Sequence, residues 1–523
     1  MSVLETPDAL DDAAQALFEE ARRRTHRRRI RRTIAAAILL GGAIAAAVLT
    51  LGGGSTDVYL QSATTPFADA RGFEGHGELA FVSRGALWAL DGASLRSVRL
   101  PAGLTPAKPI LSPDGRWLAF LAAAADAPAS QLWIARADGT GAHRVLAATV
   151  VEFVGWSPKA DELAVTVDPA ALGVKPGYDA PPSVLDVIAP GGRRTPLLRV
   201  APSSGRIWSA VWSPDGTRVA ASLVRAGRAR YGTSIVAVPV SGGAARTWLT
   251  VGPNQPIPGL CARCYSPIAE LAGWYPRWGI AFWSFAGGMV HNNDSTPLDV
   301  VAAPGARPRV LAETLSDGVN DVVAGGPEGR LALVANTNTE ALGRELGQGK
   351  SVQRCSVATR TCANVPAASR WYGPAQPCRK PYAPCLTHRP VLGTTGSGVS
   401  LDPAWSPDGS LLAYVKAPFW PDEGNPAPYW YTAHRLDVWN PRTGVTREIA
   451  GVDGVSQPGW SRDGRSLLYV SGDGLWLAPA TGGAATEIEH PLFIGLQLNG
   501  DGTMNVNYYG QIDWAGQFSW HST

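Results

Sequence analysis

Trp405-Ser406-Pro407-Asp408-Gly409, followed by the apolar run Leu411-Leu412-Ala413-Tyr414-Val415, is the stretch that decides the fold. Proline presets φ at the second position of a tight turn, aspartate can bond its own backbone, and glycine takes the left-handed exit into a strand. With an apolar strand on either side, the whole is a β-hairpin. Copies stand at Ser112-Pro113-Asp114-Gly115 and Trp212-Ser213-Pro214-Asp215-Gly216, with weaker ones at Trp156-Ser157-Pro158-Lys159 and Trp460-Ser461-Arg462-Asp463-Gly464. Hairpins recurring at this spacing mean a repeat architecture.

Composition agrees. The 523 residues include 59 Gly and 42 Pro, as many short strands and turns require, and 19 Trp, which suit large contacts between sheets. Net charge is +3, of which residues 1–32 carry +2 with eight Arg against six acids, so the remaining body is almost neutral. A neutral body offers no electrostatic footprint for nucleic acid.

The N-terminus reads as three pieces. Thr6 and Pro7 cap an amphipathic helix with Leu10, Ala13, Ala14, Leu17, Phe18 and Ala21 on one face. An arginine-rich collar, 22–32, closes a cytoplasmic segment spanning 1–32. The uncharged run 33–51 is long enough, at ~1.5 Å per residue, to cross a bilayer as one transmembrane helix. The collar orients it with the N-terminus in the cytoplasm and everything after it outside, on a single-pass cell-membrane protein. A cleaved export signal is the alternative, since Ala45-Ala46-Ala47 could serve as a cleavage site. Residues 52–77 read as a flexible spacer and 78–523 as the extracytoplasmic body.

Within that body, units of about forty to fifty residues recur, each expected to form four strands from A to D. We count eight, the first lacking its own innermost strand and the fifth (269–313) poorly marked, so seven is the alternative count. The tail 492–520 is rich in strand formers and is expected to supply the missing strand and close the ring. With its repeated Trp-Ser-Pro-Asp-Gly and following apolar strand, the body resembles the TolB-like, WD-type β-propellers. That resemblance implies an all-β fold, a propeller of about eight four-stranded blades. It implies little about function, because such rings bind many things and some are appended to enzymes.

Strand parity assigns the loops. The Ser-Pro-Asp-Gly turns and the C–D turns share one face and are short. The B–C and D–A connections share the other and collect the insertions 168–183, 225–233, 251–268, 284–297, 336–350, 367–398 and 416–434. Loops of such length usually carry function. Two are aromatic, and Trp371, Tyr372, Phe419, Trp420, Tyr429, Trp430, Tyr431 and His434 are the candidate ligand-binding residues, with Trp274, Tyr275, Trp278 and Trp283 nearby. The alternative is that they pack the loops onto the rim. The motif tryptophans are expected to pack between blades.

The six cysteines form three sequence-close couples, Cys261 with Cys264, Cys355 with Cys362, and Cys378 with Cys385, expected as disulfides in an oxidising compartment. For the first couple, a redox pair or a zinc site shared with Cys378 and Cys385 are the lesser alternatives. No G-x-S-x-G elbow, H-E-x-x-H or P-loop occurs, and the eight His show no metal spacing. We therefore expect no catalytic residues, no metal and no cofactor. The expected function is a membrane-anchored, non-catalytic binding or scaffold protein. Its partners would be an envelope protein or cell-wall glycan and, through 33–51, membrane lipid. Alternatives are a transmembrane sensor relaying to a cytoplasmic partner, and an extracellular propeller polysaccharide lyase or glycosidase. Asp294, Glu345, Asp422 and Glu423 are candidate carboxylates for the latter.

Overall fold

The hairpin motif folds as its chemistry demands. In the computed structural model, Ser406 Oγ donates to Asp408 Oδ1 (2.6 Å), which also accepts the Ser410 N–H (2.9 Å). The Gly409 N–H closes the turn on the Ser406 carbonyl (2.8 Å), with Gly409 at φ 67°. The same bonds recur around Asp114, Asp215 and Asp463. Each turn is thus tied by one carboxylate that accepts from both sides, and the Ser406 hydroxyl, with the Ser410 N–H, holds Asp408 down at about 2.

The structure describes residues 65–92, 94–124, 131–146, 150–167, 184–201, 205–226, 231–252, 268–285, 296–314, 323–336, 350–365, 398–418, 434–450, 454–472, 474–492 and 516–523. Within them the chain is an all-β propeller of eight four-stranded blades, each an antiparallel meander. Blade 1 is completed by the C-terminus, whose strand Phe518–His521 pairs with Glu78–Ser83 as its innermost member. The innermost strands of blades 2 to 8 are Leu104–Leu111, Val150–Trp156, Arg206–Trp212, Ile268–Tyr275, Val323–Gly325, Gly398–Trp405 and Val455–Trp460. The poorly marked fifth unit is a full blade, which settles the count at eight. A single pair, Thr314 with Ala335, links its outer strand to blade 6.

Closure is fastened from both sides. Ser519 Oγ accepts the Leu111 N–H of blade 2 (2.9 Å), and Ser522 Oγ accepts the Arg462 N–H of blade 8 (2.6 Å). His521 bridges Glu78 Oε2 (2.8 Å) and the Pro113 carbonyl (3.0 Å).

The core lies between the faces of successive blades, where apolar positions of the middle strands are almost wholly buried, among them Phe81, Phe120, Phe282, Tyr414 and Tyr469. The motif tryptophans sit in these seams as expected. The indole N–H groups of Trp156, Trp212 and Trp460 donate to the carbonyls of Ile110, Gly155 and Ala404, each on the innermost strand of the preceding blade.

Three expectations need correction or limits. The spacer does not run to residue 77: Phe67–Ala68 adds a fifth strand to blade 8, pairing with His490 and Glu489, and Phe73 is fully buried. A short strand followed by a phenylalanine to bury outweighs local Gly content. The sequence predicts a strand over 95–100 in the first unit, and that strand ends at Ser97. No helix among the described residues is long and apolar enough to cross a membrane; the segment 33–51 lies outside them.

Candidate functional site

The innermost strands line the ring's central opening, so chemistry there belongs to the ring as a whole. Seven described non-glycine residues have positive φ. Four of them, Arg84, Arg277, Glu328 and Arg360, sit in hairpin turns where this conformation is routine. The other three, Lys108 (φ 53°), Asp402 (φ 48°) and Gln457 (φ 46°), lie inside innermost strands, and each directly precedes a proline. All three occupy the same register, three residues before the strand-end position held by Trp405 and Trp460, and each marks a β-bulge. A left-handed non-glycine residue costs about 1–3 kcal/mol, and such strain and bulges concentrate at functional sites.

The bulges have a structural role as well. They free an N–H from the ladder and turn it toward the preceding blade: Lys108 N–H donates to the Gly516 carbonyl (3.0 Å), and Gln457 N–H to Asp402 Oδ2 (3.0 Å). What remains for the opening is a set of unlike side chains at one level, an exposed Lys108, a half-buried Gln457 and the buried Asp402.

The same level in blades 4 and 5 carries a tighter constellation. Trp208 is the extra residue of a bulge in its strand, between Ile207 and Ser209, so its indole is turned out of the ladder and is half-buried. The Arg206 guanidinium stacks over that ring, 4.6 Å from its centroid. The indole N–H reaches Glu270 Oε2 on the next blade at 3.4 Å, a long bond. Cation, aromatic plate and carboxylate therefore line up across one seam. The seam is fixed beneath them by Leu271 N–H donating to Ser209 Oγ (2.8 Å).

The sequence-derived candidates fare differently. Trp371, Tyr372, Phe419, Trp420, Tyr429, Trp430 and Tyr431 lie outside the described residues, as do Asp294, Glu345, Asp422 and Glu423. His434 is described and is no exposed ligand: it is buried, its Nδ1 bonds the Val455 carbonyl of blade 8 (3.2 Å), and burial, with Arg435 nearby, pushes it down to about 3. It is therefore neutral and packs a seam. The aromatics expected near it also pack: Trp278 is fully buried with its N–H on the Gly329 carbonyl (2.7 Å), and Trp274 meets Trp248 edge to face. Burial raises the Tyr275 hydroxyl well above the usual tyrosine range.

Of the cysteine couples, Cys355 and Cys362 are bonded across directly paired positions of two strands of blade 6. That is the one expected disulfide among the described residues. The bonds expected between Cys261 and Cys264 and between Cys378 and Cys385 fall on residues outside them. Among the described residues no three His, Cys, Asp or Glu are grouped as a metal would need.

Reading the sequence missed Arg206, Trp208, Glu270 and the set of Lys108, Asp402 and Gln457. A signal for the latter existed: a polar residue and a proline ahead of the strand end in Lys108-Pro109, Asp402-Pro403 and Gln457-Pro458. Trp208 had no such flag among so many tryptophans.

No family model and no curated protein matches the chain. Solved structures do. An oligogalacturonate lyase in complex with manganese aligns at 13% identity over 79% of this chain and 85% of its own, with a TM-score of 0.38. A mutant puromycin hydrolase complexed with PGG aligns at 17% over 74% of this chain and 53% of its own, TM-score 0.41. The β-propeller domain of the Trilobed protease from Pyrococcus furiosus aligns at 9% over 74% and 98%, TM-score 0.38. This chain spans about half the length of the peptidases and hydrolase it resembles. At these identities the likeness is one of fold. The matched chains include lyases and peptidases, so the comparisons lend no support to the expectation of a non-catalytic scaffold that is not an enzyme.

Proposed function

We propose that the protein is an extracytoplasmic glycan-cleaving enzyme of the lyase or glycosidase class, carried at the cell membrane by 33–51 and working in the ring's central opening. The observation that carries this reading is the alignment of Arg206, Trp208 and Glu270 across the seam of blades 4 and 5. A partly exposed indole offers an apolar plate to the C–H face of a sugar ring. A carboxylate at the edge of that plate is placed to take a proton from a ring carbon or give one to a glycosidic oxygen. The guanidinium above the plate can pair with a sugar carboxylate, which favours an acidic glycan. The Cys355–Cys362 bond supports an oxidising, extracytoplasmic setting.

The test is cleavage by the purified full-length protein of a panel of acidic and neutral polysaccharides, read as new reducing ends and as unsaturated sugar products. Glu270→Gln should lower kcat by about 100-fold or more while leaving the melting temperature within a few degrees of wild type. Cleavage that Glu270→Gln does not slow, or none on any glycan, would overturn the reading.

A further inference from the structure

Blades 3, 4, 7 and 8 end their innermost strand on Trp-Ser, at Trp156, Trp212, Trp405 and Trp460. Three of these indole N–H groups end on a carbonyl of the blade before, at 3.0 Å for Trp156, 2.8 Å for Trp212 and 2.9 Å for Trp460. Trp405 is the exception. The residue is only 7% exposed, yet its Nε1–H has no acceptor among the described residues. The blade before it, blade 6, presents a different edge. Its innermost strand is the three-residue Val323–Gly325, and the Gly326 backbone packs directly on the Trp405 ring.

Blade 6 brings a cation to this seam instead of a carbonyl. Arg330 follows its turn and sets its guanidinium carbon 5.8 Å from the centroid of the Trp405 ring. Arg330 Nε is buried against the Gly409 backbone, 2.5 Å from where a Cβ at 409 would stand, and it too has no acceptor among the described residues. The rest of the side chain reaches solvent, being 38% exposed. Its ion pair with Glu328 is long, 4.0 Å from Nη2, and the Asp408 carboxylate beside Gly409 is engaged by Ser406 and Ser410. Farther out along the seam the arrangement repeats. Trp439 is aligned with Trp405 through Leu412, its buried Nε1–H also lacks an acceptor among the described residues, and the Arg354 guanidinium lies 5.6 Å from its ring.

Buried donors are rarely left without an acceptor. A water could accept from both Arg330 and Trp405 but would not answer the guanidinium charge, whereas an anion's oxygens do both. We propose that the seam between blades 6 and 7 binds an oxyanion, held by the Arg330 guanidinium through its Nε–H and by the Trp405 Nε1–H. The site is apart from Arg206, Trp208 and Glu270 of blades 4 and 5 and does not depend on glycan cleavage. A bound anion would fasten blade 6, which lacks the motif tryptophan and the Ser–Asp bond, to blade 7. A free phosphate ion and the phosphodiester of a polymer share the required chemistry.

The test follows melting of the purified full-length protein as inorganic phosphate replaces chloride at fixed pH and ionic strength. Wild type should show a saturable rise in melting temperature, from which a Kd follows. Trp405→Phe keeps the ring and removes the N–H, and Arg330→Met keeps the stem and removes the charge. Each should weaken that Kd about tenfold or more, the weight of a hydrogen bond to a charged group. Trp460→Phe, whose indole already has its carbonyl, should change the Kd less than about twofold. Dimethyl phosphate then separates the sources: a rise matching that of phosphate assigns the site to a polymer phosphodiester, and no rise assigns it to the free ion, the site standing in either case. No saturable rise with phosphate, or the same Kd in wild type and Trp405→Phe, overturns the proposal and leaves the two donors to water.

Discussion

The innermost strands differ sharply between their lower ends and their middles. At the lower ends the chain repeats itself: a Ser-to-Asp bond, an Asp-capped turn, a left-handed glycine and an indole N–H donated to the blade before. Three or four residues upstream, five blades carry five different residues: Lys108, Trp208, Glu270, Asp402 and Gln457. The repeated ends solve one mechanical problem again and again, that of holding neighbouring blades in register. The divergent middles keep the bulge in several blades but change what it displays. Constancy here marks what builds the ring, and divergence on a constant frame marks where it acts.

Tryptophan separates the two roles within one strand. Trp212 lies in the seam with its N–H on Gly155 (2.8 Å), whereas Trp208 is the bulge residue, stacked under the Arg206 guanidinium with its N–H on Glu270. Trp212→Ala should cost about 3–5 kcal/mol in denaturant unfolding, the usual range for a large aromatic removed from packing. Trp208→Ala should cost less than half as much yet abolish most glycan turnover. Equal destabilisation by the two substitutions would break the distinction between frame and site.

Blade 6 sharpens the contrast because its lower end departs from the pattern. Gly325-Gly326-Pro327-Glu328-Gly329 stands where others have Trp-Ser-Pro-Asp-Gly. A side chain at 326 would collide with the Trp405 ring, its added Cβ lying 2.7 Å from it. With neither the indole nor the Ser–Asp bond, this blade carries the Cys355–Cys362 bond across its outer strands. Replacing both cysteines by alanine should lower stability by about 2 kcal/mol, as expected for closing so short a loop. A loss below about 0.5 kcal/mol would show that the bond does not substitute for the missing turn.

What could be read from the sequence follows the same division. The Trp-Ser-Pro-Asp-Gly copies are legible because turn chemistry is local: proline, aspartate and glycine act within five residues. From them the eight units and the C-terminal closing strand could be placed. The opening could not be assembled, because Arg206, Trp208 and Glu270 meet only once two blades are docked, across a sequence gap of 62 residues between Trp208 and Glu270. Aromatic richness misled for the same reason. His434, Trp274 and Trp278 look like a recognition patch in one dimension, but they fill seams in three.

The smallest expected effect concerns the repeated turn itself. Asp408 is held at about 2 against an ordinary 3.8, first by the Ser406 hydroxyl and then by the Ser410 N–H. A carboxyl lowered on folding stabilises the native state above its unfolded value and loses that contribution as pH falls through the folded one. Asp408→Asn should therefore cost about 1 kcal/mol near neutrality, a modest figure because the group is exposed and solvent screens it. The gap to wild type should begin to narrow below about pH 4 and close near pH 2. Urea unfolding of both proteins across that range measures it. A gap that stays constant down to pH 2 would mean that the carboxylate's charge contributes nothing, and that the turn is held by shape alone.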